Sequence, residues 1–257
     1  ALEENPTSEN LTKRVEILNY KMNFLKNTGA DEQAISDLDG IIVSPPRNEN
    51  LPSELIDLSD YYNASPFHYS AFHGGGKNND LRFISEKYNQ AESTPFDIRG
   101  IIRLNSGPYN NGKTANEGPA LSALGRKYPN EVTEIKIASK AEKIYFLMGA
   151  AFSTSMQEGA TAAKFRINYD DGTTSEFPII AKEDIFDWWT PQRSPGLMEK
   201  ELEPENIGWI GNDYNGNGRG LVKPIWINPN PEKGIATIDF ISGLIKCAPF
   251  VVGITIE

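Results

Sequence analysis

Apolar side chains recur at helical spacing near the start of the chain. Between residues 8 and 26 they follow intervals of four, three, four and three residues, which is the seam of a short coiled coil. Thr7 or Ser8 can cap this helix, and Thr28-Gly29 ends it. We predict a helical extension over residues 1–43, which either packs on its own domain or lets copies of the chain associate. Its apolar positions are Leu11, Val15, Leu18, Met22 and Leu25.

The helical periodicity stops between residues 44 and 53. This stretch, SPPRNENLPS, has two adjacent prolines and few apolar residues, which is typical of a break between structural units. We therefore predict a linker over residues 44–53 and a separate β-sandwich domain over residues 54–257.

From residue 54 onward apolar and polar side chains alternate, which indicates β-strands. Residues 143–148 are apolar on both faces, as a central strand requires. Asp170-Asp171-Gly172 lies between two alternating runs and predicts a hairpin turn. In the last run every second side chain from Phe250 to Ile256 is apolar, so one apolar face is expected. The predicted strands cover residues 54–58, 97–104, 133–137, 143–148, 164–169, 173–180, 224–228, 235–240 and 250–256.

About nine strands without long intervening helices predict an antiparallel fold, because parallel strands need crossover helices. The predicted fold class is all-β: an antiparallel two-sheet jelly-roll sandwich with an N-terminal helical extension. Three long connections, over residues 61–96, 105–130 and 183–223, are expected to be surface loops that carry binding residues.

Charge and composition argue against several classes of partner. The net charge of −10 leaves no concentrated basic face for nucleic acid. No apolar run reaches the roughly 18 residues of a membrane span, so no membrane insertion is expected. The single cysteine, Cys247, allows no intrachain disulfide, and two histidines make a multi-histidine metal centre a poor hypothesis. No signal peptide is visible, although a cleaved one would leave no trace.

The four tryptophans all lie between Asp184 and Pro231, beside several Asn and Asp residues. Aromatic rings stack on the C–H face of a pyranose, and short amide and carboxylate side chains bind its hydroxyl groups. This window is therefore the candidate binding surface. The opposite interpretation, that the rings pack in the core, is favoured for Trp188 and Trp226. The candidate ligand-binding residues are Trp189, Trp209, Asn212, Asp213, Tyr214 and Asn215.

Two short motifs match known chemistry but lack its surroundings. His73-Gly74-Gly75-Gly76 matches an esterase oxyanion loop, but the chain has no Gly-x-Ser-x-Gly elbow. The run from Asp213 to Gly218 matches half of a calcium loop, but Pro224 replaces the final Glu, which excludes an EF-hand. A looser calcium site and a series of tight turns both remain open. The candidate calcium ligands are Asp213, Asn215 and Asn217, and no other cofactor is expected.

Several segments follow one another between residues 54 and 257: IDLSDYYNAS, PFDIRGIIRL, KIYFLMGAAF, INYDDGTTSEFPI, DWW, WINPNP, IDFIS and APFVVGITIE. In this order they resemble a C-terminal β-sandwich domain of the galactose-binding-like, carbohydrate-binding-module class, found in secreted or cell-surface bacterial proteins. The resemblance implies a non-catalytic binding or accessory role and a secreted, periplasmic or cell-surface location. It supplies no catalytic residues and identifies no ligand.

Three functions remain open. The first is a non-catalytic module that binds a polysaccharide or another glycan through the tryptophan window. The second is a structural domain that assembles through the N-terminal helix. The third is a polysaccharide-active enzyme with two carboxylates in a cleft between the long loops, although such a pair cannot be recognised from spacing.

Overall fold

A computed structural model of the chain describes residues 17, 44–66, 79–84, 94–108, 114, 127–153, 156–213 and 215–257. Ile17 is helical and 47% exposed. The rest of the predicted N-terminal helix and its apolar seam lies outside the described residues, so self-association through it stays a prediction.

The described residues fold mainly into β-strands. Two short helices, α1 (Thr190–Arg193) and α2 (Leu197–Glu201), follow β5, and 3₁₀ turns cover Ser59–Tyr61 and Pro204–Asn206. Within this part of the chain, no helix is long and apolar enough to span a membrane. The strands are β1 (Ile102–Arg103), β2 (Glu131–Ser139), β3 (Lys143–Ala151), β4 (Thr161–Tyr169), β5 (Thr174–Ile180), β6 (Ile207–Asn212), β7 (Gly218–Val222), β8 (Ile225–Ile227), β9 (Ile235–Ser242) and β10 (Ala248–Ile256).

The strands form two antiparallel sheets, which confirms the predicted all-β class. Sheet A has the order β1-β10-β3-β7-β6, and sheet B has the order β2-β9-β4-β5. β8 also pairs with β3, so β7 and β8 pair with successive parts of β3 along the same edge. Lys223-Pro224 separates them, because proline cannot donate a hydrogen bond to the neighbouring strand.

The two sheets pack face to face through aromatic and aliphatic side chains. Phe146 of sheet A stacks on Phe165 of sheet B with ring centroids 3.8 Å apart, and Phe165 stacks on Phe240 at 4.8 Å. All three rings are fully buried. Alternation along β4 places every second side chain in this inner core, because successive residues of a strand point to opposite faces.

The predicted hairpin of β4 and β5 is confirmed. The two strands pair in register from Asn168 and Thr174 outward. Gly172 in the turn has a φ of +80°, a left-handed conformation that glycine adopts without steric cost. The Thr173 backbone N–H donates to Asp171 Oδ1 at 2.9 Å, which fixes the turn from its side chain.

A β-bulge in β10 makes the predicted single apolar face wrong. The pairing of β10 with β3 shifts by one residue between Val251 and Gly253. Ile254 therefore lies in the inner core, whereas Phe250 and Val252 lie on the opposite face of sheet A. The physical reason is that a bulge inserts one extra residue into one strand and so reverses the facing of the side chains beyond it.

Sheet A is also buried on its outer face, by connecting segments. On this face Leu147 and Phe250 belong to a second buried cluster, the outer core, together with Trp188 and Trp209. The prediction that β3 is apolar on both faces is therefore confirmed. Five further outer-core residues come from connections that were expected to be surface loops, namely Ala64, Leu81, Ile84, Phe96 and Tyr128, and two more, Ile98 and Ile101, come from the predicted strand over residues 97–104.

The structure contains a hairpin where the sequence predicted only a loop. Residues 207–222 form β6 and β7. Two of its glycines pack so closely that a side chain would not fit: a Cβ on Gly208 would lie 2.5 Å from Leu147 Cδ1, and one on Gly220 would lie 2.6 Å from Met198 Sδ. These glycines remove the alternation by which strands are recognised in a sequence.

Two predicted strands are largely irregular in the structure. Residues 54–58 contribute a single bridge, between Leu55 and Thr255. Of residues 97–104, only Ile102–Arg103 form a strand. The alternation in these segments arises because one side packs on sheet A, which produces the same pattern as a strand without continuous pairing.

Ion pairs around the buried side chains of Asp97 and Arg99 hold these irregular segments in place. Arg99 Nε donates to Asp97 Oδ1 at 2.8 Å, and Arg47 Nη1 donates to Asp97 Oδ2 at 2.5 Å. Arg99 Nη2 also donates to Asp57 Oδ1 at 2.5 Å. Arg47 lies in the predicted linker, so part of that linker is attached to the sandwich by charge.

The aromatic stack between the sheets yields a stability prediction. Phe165→Ala should lower the free energy of unfolding by about 3–5 kcal/mol, because it removes the central ring of the stack and leaves a cavity. Thr174→Ala, at an exposed position on β5, should change it by less than about 0.5 kcal/mol. Urea unfolding measures both, and equal losses would contradict the role of Phe165 in the core.

Candidate ligand-binding site

The turn that joins β6 to β7 packs against α1. Gln192 Nε2 on α1 donates a hydrogen bond to Asn217 Oδ1 at 3.2 Å. Gly218 allows this approach, because a Cβ there would lie only 3.0 Å from backbone atoms of Pro191 and Gln192. The two elements together form one surface, here called the Trp189 surface, whose exposed or partly exposed members are Trp189, Gln192, Arg193, Asn212 and Asn215.

Buried Arg219 joins the parts of this surface from below. Its Nη2 donates to Asn79 Oδ1 at 2.8 Å and to Asp213 Oδ2 at 2.7 Å. Its Nη1 donates to Gln192 Oε1 at 2.6 Å and to the Gly218 carbonyl at 2.7 Å. Burial lowers the pKa of the Arg219 guanidinium, and the carboxylate of Asp213 opposes that shift. Three segments distant in sequence, around Asn79, on α1 and in the β6–β7 turn, therefore meet at one cation.

Asp213 organises the turn. Its Oδ1 accepts backbone N–H groups from Asn215 at 2.8 Å and Asn217 at 3.0 Å, and its Oδ2 accepts from Arg219. Gly216 has a φ of +82°, as a tight turn requires. The turn interpretation of this run thus describes the observed geometry.

The predicted calcium ligands have other partners in this turn. A cation bound by Asp213 would compete with the guanidinium of Arg219, which already lies 2.7 Å from its Oδ2. The Asn217 side-chain oxygen accepts from Gln192, and Asn215 is exposed. Within the described residues, no three His, Cys, Asp or Glu side chains lie together as a metal site. These residues fit calcium poorly as they are arranged, and calcium stays a prediction.

Three of the four tryptophans are buried. Trp188 is 1% exposed and Trp209 is 7% exposed, both in the outer core, and Trp226 is 6% exposed in the inner core. Core packing of Trp188 and Trp226 was the favoured interpretation of the sequence. Trp209, expected in a loop, lies on β6 and offers no open stacking face. Its ring lies over Gly211, where a Cβ would be 2.3 Å from Trp209 Cζ2.

Trp189 is the tryptophan that reaches the surface, and several contacts hold its ring. The indole Nε1 donates to Asn79 Oδ1 at 3.2 Å, and the backbone N–H donates to Asp187 Oδ1 at 2.9 Å. The guanidinium carbons of Arg193 and Arg219 lie 4.7 Å and 5.0 Å from its ring centroid. The ring is therefore fixed in orientation before any ligand arrives.

The other predicted site residues divide into buried and exposed groups. Asn212 and Asn215 are exposed at the turn, whereas Asp213 is 2% exposed and serves the turn itself. Tyr214 lies outside the described residues.

Four residues of this surface were not predicted as site residues from the sequence: Asn79, Gln192, Arg193 and Arg219. Asn79 and Arg219 are 140 residues apart, and no local pattern marks a contact of that kind.

A second group of aromatic, carboxylate and amide side chains lines a small cleft of about 100 Å³ at the end of β5. Asp184 Oδ2 accepts the Ile180 N–H at 2.8 Å. Burial raises the pKa of the Asp184 carboxyl, and nearby Glu183 adds to the shift. The cleft is smaller than ligand pockets of about 300–1,000 Å³, and the enzyme hypothesis stays a prediction. The lining residues are Phe177, Glu183, Asp184, Leu202, Asn206, Pro224 and Ile225.

The Arg219–Asp213 pair should be strongly coupled. Arg219→Met and Asp213→Asn should each lower the free energy of unfolding by about 3–5 kcal/mol, because each leaves the partner without its counter-charge. The double variant should lose less than the sum of the two, because neither charge is then left alone. Denaturant unfolding of all four proteins measures the coupling, and strictly additive losses would show that the pair does not act as a unit.

Asp184 should make stability depend on pH. Because its pKa is raised in the folded protein, its contribution to stability is complete below the unfolded pKa of about 3.9 and is lost as pH rises through the folded pKa. Asp184→Asn should therefore gain stability relative to wild type between about pH 4 and 7, while Asn Oδ1 still accepts the Ile180 N–H.

Glu176 provides the matched control with the opposite sign. The hydrogen bond from Lys164 lowers the pKa of the Glu176 carboxyl, so its contribution is present above the unfolded pKa and is lost as pH falls. Glu176→Gln should lose stability relative to wild type over the same rise in pH. Thermal unfolding across this pH range distinguishes the two, and parallel curves for Asp184→Asn and wild type would refute the expectation.

Comparisons with known proteins found no match for this chain. No protein-family model matches the chain. No curated protein and no solved structure matches it. The resemblance to the galactose-binding-like class therefore stays a prediction from the sequence segments.

Proposed function

We propose that this chain is a non-catalytic carbohydrate-binding module that binds glycan at the Trp189 surface. The observation that carries the proposal is Trp189 itself, a partly exposed ring held in one orientation by Asn79 and two guanidinium groups. A fixed ring loses little conformational freedom when a sugar stacks on it, which favours binding. The jelly-roll, galactose-binding-like topology belongs to the same proposal.

The polar side chains around Trp189 suit a sugar. Asn212 and Asn215 are exposed at the neighbouring turn, and each amide can both donate to and accept from a hydroxyl group. Gln192 is exposed but already bonds Asn217 and Arg219, so it is better suited to shaping the surface than to binding. In this proposal Trp189 and the Arg193 guanidinium that lies over its ring together supply the stacking surface, and the turn supplies hydroxyl contacts.

The remaining predicted site residues take supporting parts in this proposal. Asp213 fixes the turn, and Trp209 packs beneath it on β6. Tyr214 follows Asp213 directly in the sequence and stays a candidate contact. No bound calcium is needed, because Arg219 supplies the positive charge that holds the turn together.

A glycan-binding role fits a chain that works outside the cytoplasm. Polysaccharides are displayed on cell surfaces and in the surrounding medium, where an accessory module can anchor a neighbouring domain. We therefore propose a secreted, periplasmic or cell-surface location. The net charge of −10 is compatible with such a role, because a sugar is recognised by local stacking and hydrogen bonds.

Affinity electrophoresis through gels that contain single polysaccharides tests the proposal. At least one polysaccharide should retard the wild-type chain, and Trp189→Ala should weaken that binding about tenfold or more, because it removes the stacking face. A circular dichroism spectrum and a melting curve establish that the variant is folded.

Phe177→Ala is the matched control, because it truncates another partly buried aromatic ring, in the cleft beside Asp184. It should leave retardation unchanged. Loss of binding in Phe177→Ala but not in Trp189→Ala would move the site to the cleft. No retardation by any member of a broad panel of neutral and acidic polysaccharides would reject the function.

A further inference from the structure

We infer that the ligand of the Trp189 surface is an acidic glycan, and that Arg193 receives the carboxylate of a uronic acid residue. The inference rests on the proposed function and names the class of sugar that the surface would take. It follows from the position of Arg193, from its few partners and from the contrast with Arg219.

Arg193 is held beside Trp189 by the backbone of α1. Its N–H donates to the Trp189 carbonyl at 3.1 Å, which is one helical turn. Its guanidinium carbon lies 4.7 Å from the Trp189 ring centroid, and 40% of its side chain is exposed. A ligand that stacks on or beside this ring would meet the guanidinium at once.

The guanidinium of Arg193 has donors to spare. It has five N–H groups. Within the described part of the chain its side chain makes no hydrogen bond, and its single ion pair, with Asp187, is long at 3.6 Å. Asp187 is already in use: its Oδ1 accepts the Trp189 N–H at 2.9 Å, and its Oδ2 accepts the Ser153 N–H at 3.0 Å. Arg193 is therefore available for a carboxylate from outside.

Arg219 lies near the same ring but is not available. It is 2% exposed, and its donors are directed at Asn79, Asp213 and Gln192. The two guanidinium groups are close enough that Arg193 contributes to lowering the pKa of Arg219. An anion bound at Arg193 would relieve this repulsion. The surface thus has one structural cation and one exposed cation, which suits a ligand with a single local negative charge.

A sugar carboxylate fits this arrangement better than a diffuse anion. The planar guanidinium can bind a carboxylate through two parallel hydrogen bonds. The sugar ring that carries the carboxylate can stack on Trp189, and its hydroxyl groups can reach Asn212 or Asn215. The overall charge of −10 repels polyanions at long range, so recognition has to come from this local geometry.

Affinity electrophoresis with matched polymers tests the inference. Polygalacturonate should retard the wild-type chain about tenfold more strongly than fully methyl-esterified pectin, which has the same backbone with its carboxylates blocked. Arg193→Gln should abolish that preference. Arg193→Lys should restore it only in part, because an ammonium group cannot form the paired hydrogen bonds. Arg166→Gln, which removes a guanidinium from the solvent face of sheet B, should behave as wild type.

The possible outcomes distinguish failure of the acidic ligand from failure of the proposed glycan-binding function. Equal binding to both polymers, unchanged by Arg193→Gln, would overturn the acidic ligand and leave the glycan-binding function standing. Equally strong retardation by dextran sulfate would show that charge alone is recognised, and would overturn the uronate. Binding to neutral polymers alone would also overturn the inference of a uronic acid ligand. No retardation by any polymer, neutral or acidic, would reject the proposed function itself.

Discussion

Burial of both faces of sheet A is the constraint on which the rest of this structure depends. One face packs on sheet B through the Phe146–Phe165–Phe240 stack. The other face cannot be left in water, because Leu147 and Phe250 would then expose large apolar surfaces. No second sheet covers it within the described residues, so connecting segments do. The long connections therefore have a structural role first, and two of the four tryptophans, Trp188 and Trp209, are buried in the outer core.

The irregular segments that cover sheet A need another means of attachment, because they lack the continuous hydrogen-bond ladder of a strand. Buried charges provide the attachment instead. Asp97 binds Arg47 and Arg99 at one place, and Arg219 binds Asn79 and Asp213 at another. Each cation satisfies several acceptors from different segments, which offsets the cost of burying it. The cluster around Arg219 also fixes Trp189, the tryptophan that reaches the surface, so the binding proposal depends on the same buried cation.

The sequence predicted most of the strands that alternate or are apolar throughout, and it predicted the Asp-Gly hairpin. Alternation also predicted strands over residues 54–58 and 97–104, which are largely irregular because they pack on sheet A without continuous pairing. It failed where packing overrides pattern. The bulge after Val251 leaves no mark in the order of apolar residues. Gly208 and Gly220 conceal β6 and β7 because close packing excludes the side chains that would reveal a strand. Of the candidate site residues, Trp189, Asn212 and Asn215 reach the surface, whereas burial of Trp209 depends on a hairpin that the sequence does not announce.

Because the outer face of sheet A is sealed by connecting segments, Trp189 alone among the four indoles remains open to solvent. Quenching of tryptophan fluorescence by iodide tests it most directly. The wild-type chain should show one iodide-accessible fraction, which disappears in Trp189→Phe and persists in Trp209→Phe. An accessible fraction that persists in Trp189→Phe, or that is lost in Trp209→Phe, would contradict the claim.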